Sequence, residues 1–187
     1  MITIVSGMPR SGTSLMMQML AAGGLPFLSD GERRADEDNP RGYYEWERIK
    51  TLPRDPECIA EAEGKVVKVI SQLLFALPRR HDYQIIFMER PLAEVMASQA
   101  EMIQRRGTAA PALPQSALQA GLQMHLNQVQ AWMKASPHIP VQRIAYRELL
   151  ADPPGTAQRL ADFLHCPLDT AAMAAQVDNA LYRHRTP

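Results

Sequence analysis

Eight residues near the start of the chain, Gly7-Met8-Pro9-Arg10-Ser11-Gly12-Thr13-Ser14, have the types and spacing needed to hold an oxyanion. Two glycines separated by four residues let the backbone curl until successive N–H groups point inward. A helix beginning after the second glycine then aims its positive end at the same place. Thr13 and Ser14 add hydroxyl donors, and Arg10 adds a planar fork of N–H groups. Such a loop supports binding and transfer of a phosphate-like group; its bland alternative is a tight turn between strand and helix. A nucleoside triphosphatase sets Lys directly after the second glycine, to reach the β- and γ-phosphates. Here Thr13 stands in that place, which counts against ATP chemistry.

The loop works only where a strand delivers it and a helix leaves it. Ile2 to Ser6 is short, apolar and β-branched and reads as a buried strand. Leu15, Met16, Met19 and Leu20 then fall on one helical face, read as core packing, and Gly23-Gly24 ends that helix. Residues 29–42 form a polar, charged loop. Short helices are expected over 43–52 and 55–63, and a helical turn or two over 71–79. Further strands are expected at Lys65 to Ile70, Tyr83 to Met88 and Val141 to Tyr146. Longer helices are expected from Pro91 to about Arg106, over 115–135, from Pro153 to about His165, and over 169–180. Strands alternating with helices imply an α/β three-layer sandwich with a central parallel sheet of about four to five strands, of P-loop type, forming a single domain over 1–187.

With these elements placed, the chain resembles the sulfotransferases that use 3′-phosphoadenosine 5′-phosphosulfate (PAPS). Their 5′-phosphosulfate loop reads Pro-Lys/Arg-Ser-Gly-Thr-Ser/Thr after the first strand, and this chain has Pro9-Arg10-Ser11-Gly12-Thr13-Ser14. The family closes a central strand with an Arg, and a Ser follows eight residues later; together they hold the 3′-phosphate. Arg90, after Ile85-Ile86-Phe87-Met88-Glu89, and Ser98 stand at those places. The late family pattern Tyr-Glu-Asp-Leu, Pro, Phe-Leu is similar to Tyr146-Arg147-Glu148-Leu149, Pro153 and Phe163-Leu164. In the family that Tyr lies against or bonds the adenine, which implies Tyr146. Read from the residues alone, Arg90 is a ligand-facing residue at a strand's carboxyl end or a salt-bridging one, and Ser98 and Tyr146 are site residues or packing ones.

The resemblance implies sulfuryl transfer from PAPS, as cosubstrate and without a metal, to a hydroxyl or amine of a small-molecule or glycan acceptor. Arg10 is then the candidate cation at the bridging oxygen. Lys68 resembles the lysine of the family's Lys-Thr-His strand, which touches the sulfuryl group; otherwise it is a surface lysine. The family's basic His would fall at Ile70, and His81, His125, His138, His165 and His184 are scattered. Other branches use a glutamate. Glu45, in Gly42-Tyr43-Tyr44-Glu45-Trp46, lies beside aromatics and is the candidate base, or else a carboxylate at a helix start. Asp30, Glu32, Asp36 and Asp38 are unranked further candidates. The family's C-terminal Arg-Lys-Gly clamp is missing, with Arg183 and Arg185 as substitutes or as solvated charges. Arg33-Arg34, Arg79-Arg80 and Arg105-Arg106 line a cleft or face water.

Composition sets the remaining bounds. With 187 residues, 20 basic and 20 acidic, the net charge is zero, which argues against a nucleic-acid binder. No apolar run approaches the roughly 20 residues of a membrane span, and the N-terminus has no signal-peptide pattern. Cys58 and Cys166 are too far apart in sequence for a metal or redox motif and read as packing residues, which suits a cytoplasmic setting. Two rival functions stand beside sulfuryl transfer. One is a small P-loop nucleotide or nucleoside kinase, with Glu89 ending its strand as a magnesium-binding acid would. The other is a non-catalytic nucleotide-binding protein of the same fold that has lost the base.

Overall fold

A computed structural model describes residues 1–33, 35–36, 39, 41–105, 107 and 114–178. Strand β1 (Ile2–Gly7) runs into the glycine-bearing loop and helix α1 (Thr13–Ala22). Then come β2 (Phe27–Leu28), two 3-10 helices at Glu47–Thr51 and Pro56–Ala62, β3 (Val66–Lys68) and a third 3-10 helix at Ser71–Ala76. The second half holds β4 (Tyr83–Glu89), α2 (Leu92–Arg105), α3 (Gln115–Ala135), β5 (Val141–Ala145), α4 (Tyr146–Ala151), α5 (Pro153–Leu164) and α6 (Thr170–Ala174).

The five strands form one parallel sheet in the order β2-β3-β1-β4-β5. Alternation along each strand feeds two cores. Ile2, Ile4, Ile85 and Phe87 point to one face, where they meet Ile49, Ile59 and Leu74 from the 3-10 helices, the flanking Trp46 and Leu52, and Val129 and Met133 from α3. Val5, Ile86 and Met88 point to the other, against Met16, Met17, Met19 and Leu20 of α1 and Leu149, Leu160 and Met173 of α4 to α6. The methionines of α1 are therefore core. So are the cysteines: Cys58 is buried and Cys166 half-buried, both as free thiols whose pKa burial pushes up.

The three-layer architecture agrees with the expectation; several boundaries do not. The strand expected to reach Tyr146 stops at Ala145, so Tyr146 opens α4. The strand expected over Lys65 to Ile70 is three residues long. The short helices expected over 43–52, 55–63 and 71–79 are 3-10 turns. Edge strand β2 was not expected at all; it pairs with β3 at Phe27 and Leu28. Helix α5 does start at Pro153, with Asp152 Oδ1 accepting the Gly155 N–H at 2.9 Å. The last helix, expected over 169–180, ends at Ala174, and residues 179 and 180 lie outside the described residues.

Candidate active site

The parallel sheet reverses its direction of growth at β1, so a crevice opens at the carboxyl ends of the strands. A cleft of about 380 Å³ occupies that crevice. Pro9, Arg10, Gly12, Thr13, Ser14, Glu45, Lys68, Arg90, Ser98 and Tyr146 all line it, which brings together every nominated site residue except Ser11. Ser11 lies just beneath. Its hydroxyl is buried and has no hydrogen-bond partner among the described residues.

The loop's curl depends on its glycines. A Cβ on Gly7 would lie 2.5 Å from Ser11 Oγ and 2.8 Å from the Met88 carbonyl oxygen. Gly12, at φ 101°, opens α1 with no side-chain cap, so the first N–H groups of a ten-residue helix face the cleft. A Cβ there would lie 2.5 Å from Tyr146 Cδ2. Arg10 adopts the left-handed region at φ 72°, unusual for a residue with a side chain.

Three elements distant in sequence meet around Arg10. Its Nε donates to Ser98 Oγ at 3.0 Å, and Arg90 NH1 donates to its carbonyl oxygen at 3.0 Å. Ser98 thus reaches the P-loop arginine from the second turn of α2. The Arg90 guanidinium lies 4.7 Å from the centre of the Tyr146 ring, and Tyr146 is 7% exposed. That ring packs between Gly12 and Arg90.

Across the cleft, Lys68 projects from β3, which pairs with β1 at Val5. It is 7% exposed, so it is not a surface lysine. Its Nζ donates to Ser14 Oγ at 3.2 Å, to the Tyr43 carbonyl at 3.0 Å and to Glu45 Oε1 at 3.2 Å. Burial pushes the Lys68 pKa down, and the Glu45 carboxylate opposes that shift. Glu45 lies before the 3-10 helix, not on it, and its Oε1 also accepts from Arg33 NH1 at 2.8 Å. Two cations therefore stand at this carboxylate. Arg33 lies 3.4 Å from the Tyr43 ring centre, and the Tyr43 hydroxyl donates to Asp36 Oδ1 at 2.7 Å. Burial, then that bond to Asp36, raises the Tyr43 pKa.

The remaining acidic candidates have other employment. Asp30 caps the first 3-10 helix, accepting from the Glu47 N–H at 2.5 Å. Glu32 is exposed, Asp36 holds Tyr43, and Asp38 lies outside the described residues. Of the arginine pairs, Arg33 and Arg105 line the cleft, Arg105 paired with Glu101. Arg79 and Arg80 are exposed, Arg80 pairing with Glu57. Arg34, Arg106, Arg183 and Arg185 lie outside the described residues. Ile70 is 36% exposed on the cleft wall. Beside it Ser71 Oγ lies 2.9 Å from His125 Nε2, whose pKa burial lowers.

The sequence reading did not single out Glu94, Arg147 or Tyr43. Only Glu94 had a signal, its position four residues after Arg90 where β4 turns into α2. Among the described residues no group of His, Cys, Asp and Glu is arranged to hold a metal ion. None of their helices is long and apolar enough to cross a membrane.

Fold and site together define an α/β protein of P-loop type whose glycine-bearing loop carries an arginine. Residues 2–184 match the sulfotransferase domain family, and the chain belongs to that family. No curated protein matches it. Among solved structures it is similar to an unliganded sugar kinase from Janibacter sp. HTCC2649, at 14% identity and a TM-score of 0.45, over 91% of this chain and 96% of that one.

Proposed function

We propose that the protein transfers a sulfuryl group from PAPS to a hydroxyl or amine of a small-molecule or glycan acceptor. The observation that carries this reading is the meeting of Arg10, Ser98 and Arg90 at the mouth of the curled loop. A cradle for one anion and a second cationic corner beside it suit a donor with phosphates at two positions. The uncapped start of α1, which opens at the cleft, fits an oxyanion in the cradle.

In this reading the loop N–H groups with Ser11, Thr13 and Ser14 hold the 5′-phosphosulfate. Arg90 and Ser98 hold the 3′-phosphate, and Tyr146 bounds the adenine side. PAPS supplies an activated sulfuryl group on a phosphate leaving group. Glu45 takes the acceptor's proton as the acceptor oxygen or nitrogen bonds to sulfur and the sulfur–oxygen bond to the phosphate breaks. Arg10 stabilises the negative charge left on that phosphate oxygen, and Lys68 steadies the equatorial sulfuryl oxygens. Arg33 must yield its bond to Glu45 when the acceptor enters. The kinase alternative gains nothing from Glu89, whose carboxylate is taken by Arg143 at 2.9 Å.

Calorimetric titration with 3′-phosphoadenosine 5′-phosphate, ADP, and ATP with magnesium tests the reading. The 3′-phosphorylated ligand should bind tightest. Arg90→Ala should weaken it roughly 10- to 150-fold more than it weakens ADP, the worth of one charge-assisted hydrogen bond. Equal or tighter binding of ATP with magnesium would overturn it.

A further inference from the structure

Helix α2 carries a carboxylate that the donor reading does not use. The Glu94 side chain has no exposed surface, yet it meets two guanidinium groups. Its Oε2 accepts from Arg90 Nε at 3.0 Å; its Oε1 accepts from Arg147 Nε at 3.0 Å and NH2 at 2.5 Å. A carboxylate this deep is costly unless paired, and here both oxygens take charge-assisted bonds from planar forks that leave little angular freedom. Arg90 is thereby fixed on three sides: Glu94 at Nε, the Tyr146 ring at the guanidinium, and the Arg10 carbonyl at NH1. Arg10 is the loop residue held in the left-handed region. Arg147, with 43% of its side chain exposed, anchors the far end from α4.

The geometry points to Glu94 as a positioning residue: by orienting Arg90 against the Arg10 carbonyl it holds the anion-binding loop in its curled form, with Arg147 as its second anchor. The chain of contacts runs from α4 through α2 and the end of β4 into the loop. The same Arg90 that closes the second anionic corner therefore also fixes the cradle, and the two corners are set by one carboxylate. Only the consequence for donor affinity rests on the function proposed above; the effect on the loop stands without it.

The loop contains its own reporter. The Ser11 N–H donates to the Met8 carbonyl across the curl at 3.1 Å, and Ser11 is buried. Amide hydrogen exchange on the full chain without ligand should show the Ser11 amide exchanging about tenfold or more faster in Glu94→Gln, whose amide nitrogen or oxygen no longer matches two forks, while the Ile4 amide of β1 is unchanged. Adding Glu94→Gln to Arg90→Gln should give no further acceleration. A plain structural ion pair would instead speed Ile4 and Ser11 alike, and its effect would add to that of Arg90→Gln; either result overturns the inference. Should Glu94→Gln fail to fold, Arg147→Gln breaks the bracket from the exposed side and should speed Ser11 in the same direction; no change there overturns it. Titration of 3′-phosphoadenosine 5′-phosphate into the same variants separates the two claims. If the wild type binds none while Ser11 still responds, the donor reading falls and the bracket stands. If it binds and Ser11 is indifferent, the reverse holds.

Discussion

Gly12→Ala puts the packing of the cradle under direct test. At φ 101° an alanine is strained, at a cost of about 1–3 kcal/mol. Its Cβ would also lie 2.5 Å from Tyr146 Cδ2 and 2.8 Å from Cε2, distances that carbon atoms do not share. Tyr146 cannot simply swing away, because the Arg90 guanidinium lies 4.7 Å from its ring centre and the residue is buried against α4 and α5. Moving it gives up a cation–π contact worth about 1 kcal/mol. The sum is about 2–4 kcal/mol, which for a chain of this length lowers the melting temperature by about 4–16 °C. Thermal unfolding followed by circular dichroism measures it. Combining the change with Tyr146→Ala vacates the space for the Cβ and should recover the steric part, leaving a coupling energy of about 1–2 kcal/mol. A Gly12→Ala variant that melts with the wild type, or strict additivity with Tyr146→Ala, would refute the argument that ring and glycine were fitted to each other.

Two further outcomes follow from buried titratable groups. Lys68→Met removes a cation whose pKa burial already depresses, and Glu45 keeps Arg33 at 2.8 Å, so stability should change by less than about 1 kcal/mol while transfer falls roughly 10²- to 10³-fold; transfer at the wild-type rate would remove Lys68 from the reaction. Tyr83 is pushed up to about 12 by burial, and its hydroxyl donates to the Pro78 carbonyl at 2.9 Å. Because the folded state holds this proton more tightly, its contribution is present below pH 10 and is lost as pH rises from 10 towards 12. Tyr83→Phe should flatten the stability profile in that window, measured by urea unfolding at successive pH values, and parallel profiles would show that Tyr83 is not the group responsible.

The glycine-bearing loop was legible because it is local: two glycines, an arginine and hydroxyls within eight residues specify a strand, a curl and a helix start with no help from the rest of the chain. The two-faced sheet was legible for a similar reason, since Ile85 to Met88 can only be buried on both sides. What escaped was short or cooperative. Phe27 and Leu28 form a strand only because β3 offers them an edge, and two residues carry no period. The 3-10 turns at 47–51, 56–62 and 71–76 look like helices in sequence, and nothing local distinguishes their tighter winding. Around the cleft, the sequence set Arg90 and Ser98 eight residues apart, but it could not show that Ser98 meets Arg10. The partnership of Glu94 with Arg147 joins residues 53 positions apart. Glu45 was picked out for its aromatic neighbours; in the folded chain Lys68 and Arg33 are what face its carboxylate.

The order β2-β3-β1-β4-β5 has a consequence for how such a protein can change. The chain leaves β1 for one edge, returns to the centre, and only then builds the other edge. Glu45 and Lys68 therefore come from the segment before β4, whereas Arg90, Ser98 and Tyr146 come from β4 onward. The two groups meet only across the glycine-bearing loop. Substitutions, insertions or a different loop between α1 and β3 can reshape one wall of the cleft while the arginine corner on the opposite wall keeps its geometry. Modularity of this kind needs no domain boundary; the winding order of a single sheet supplies it.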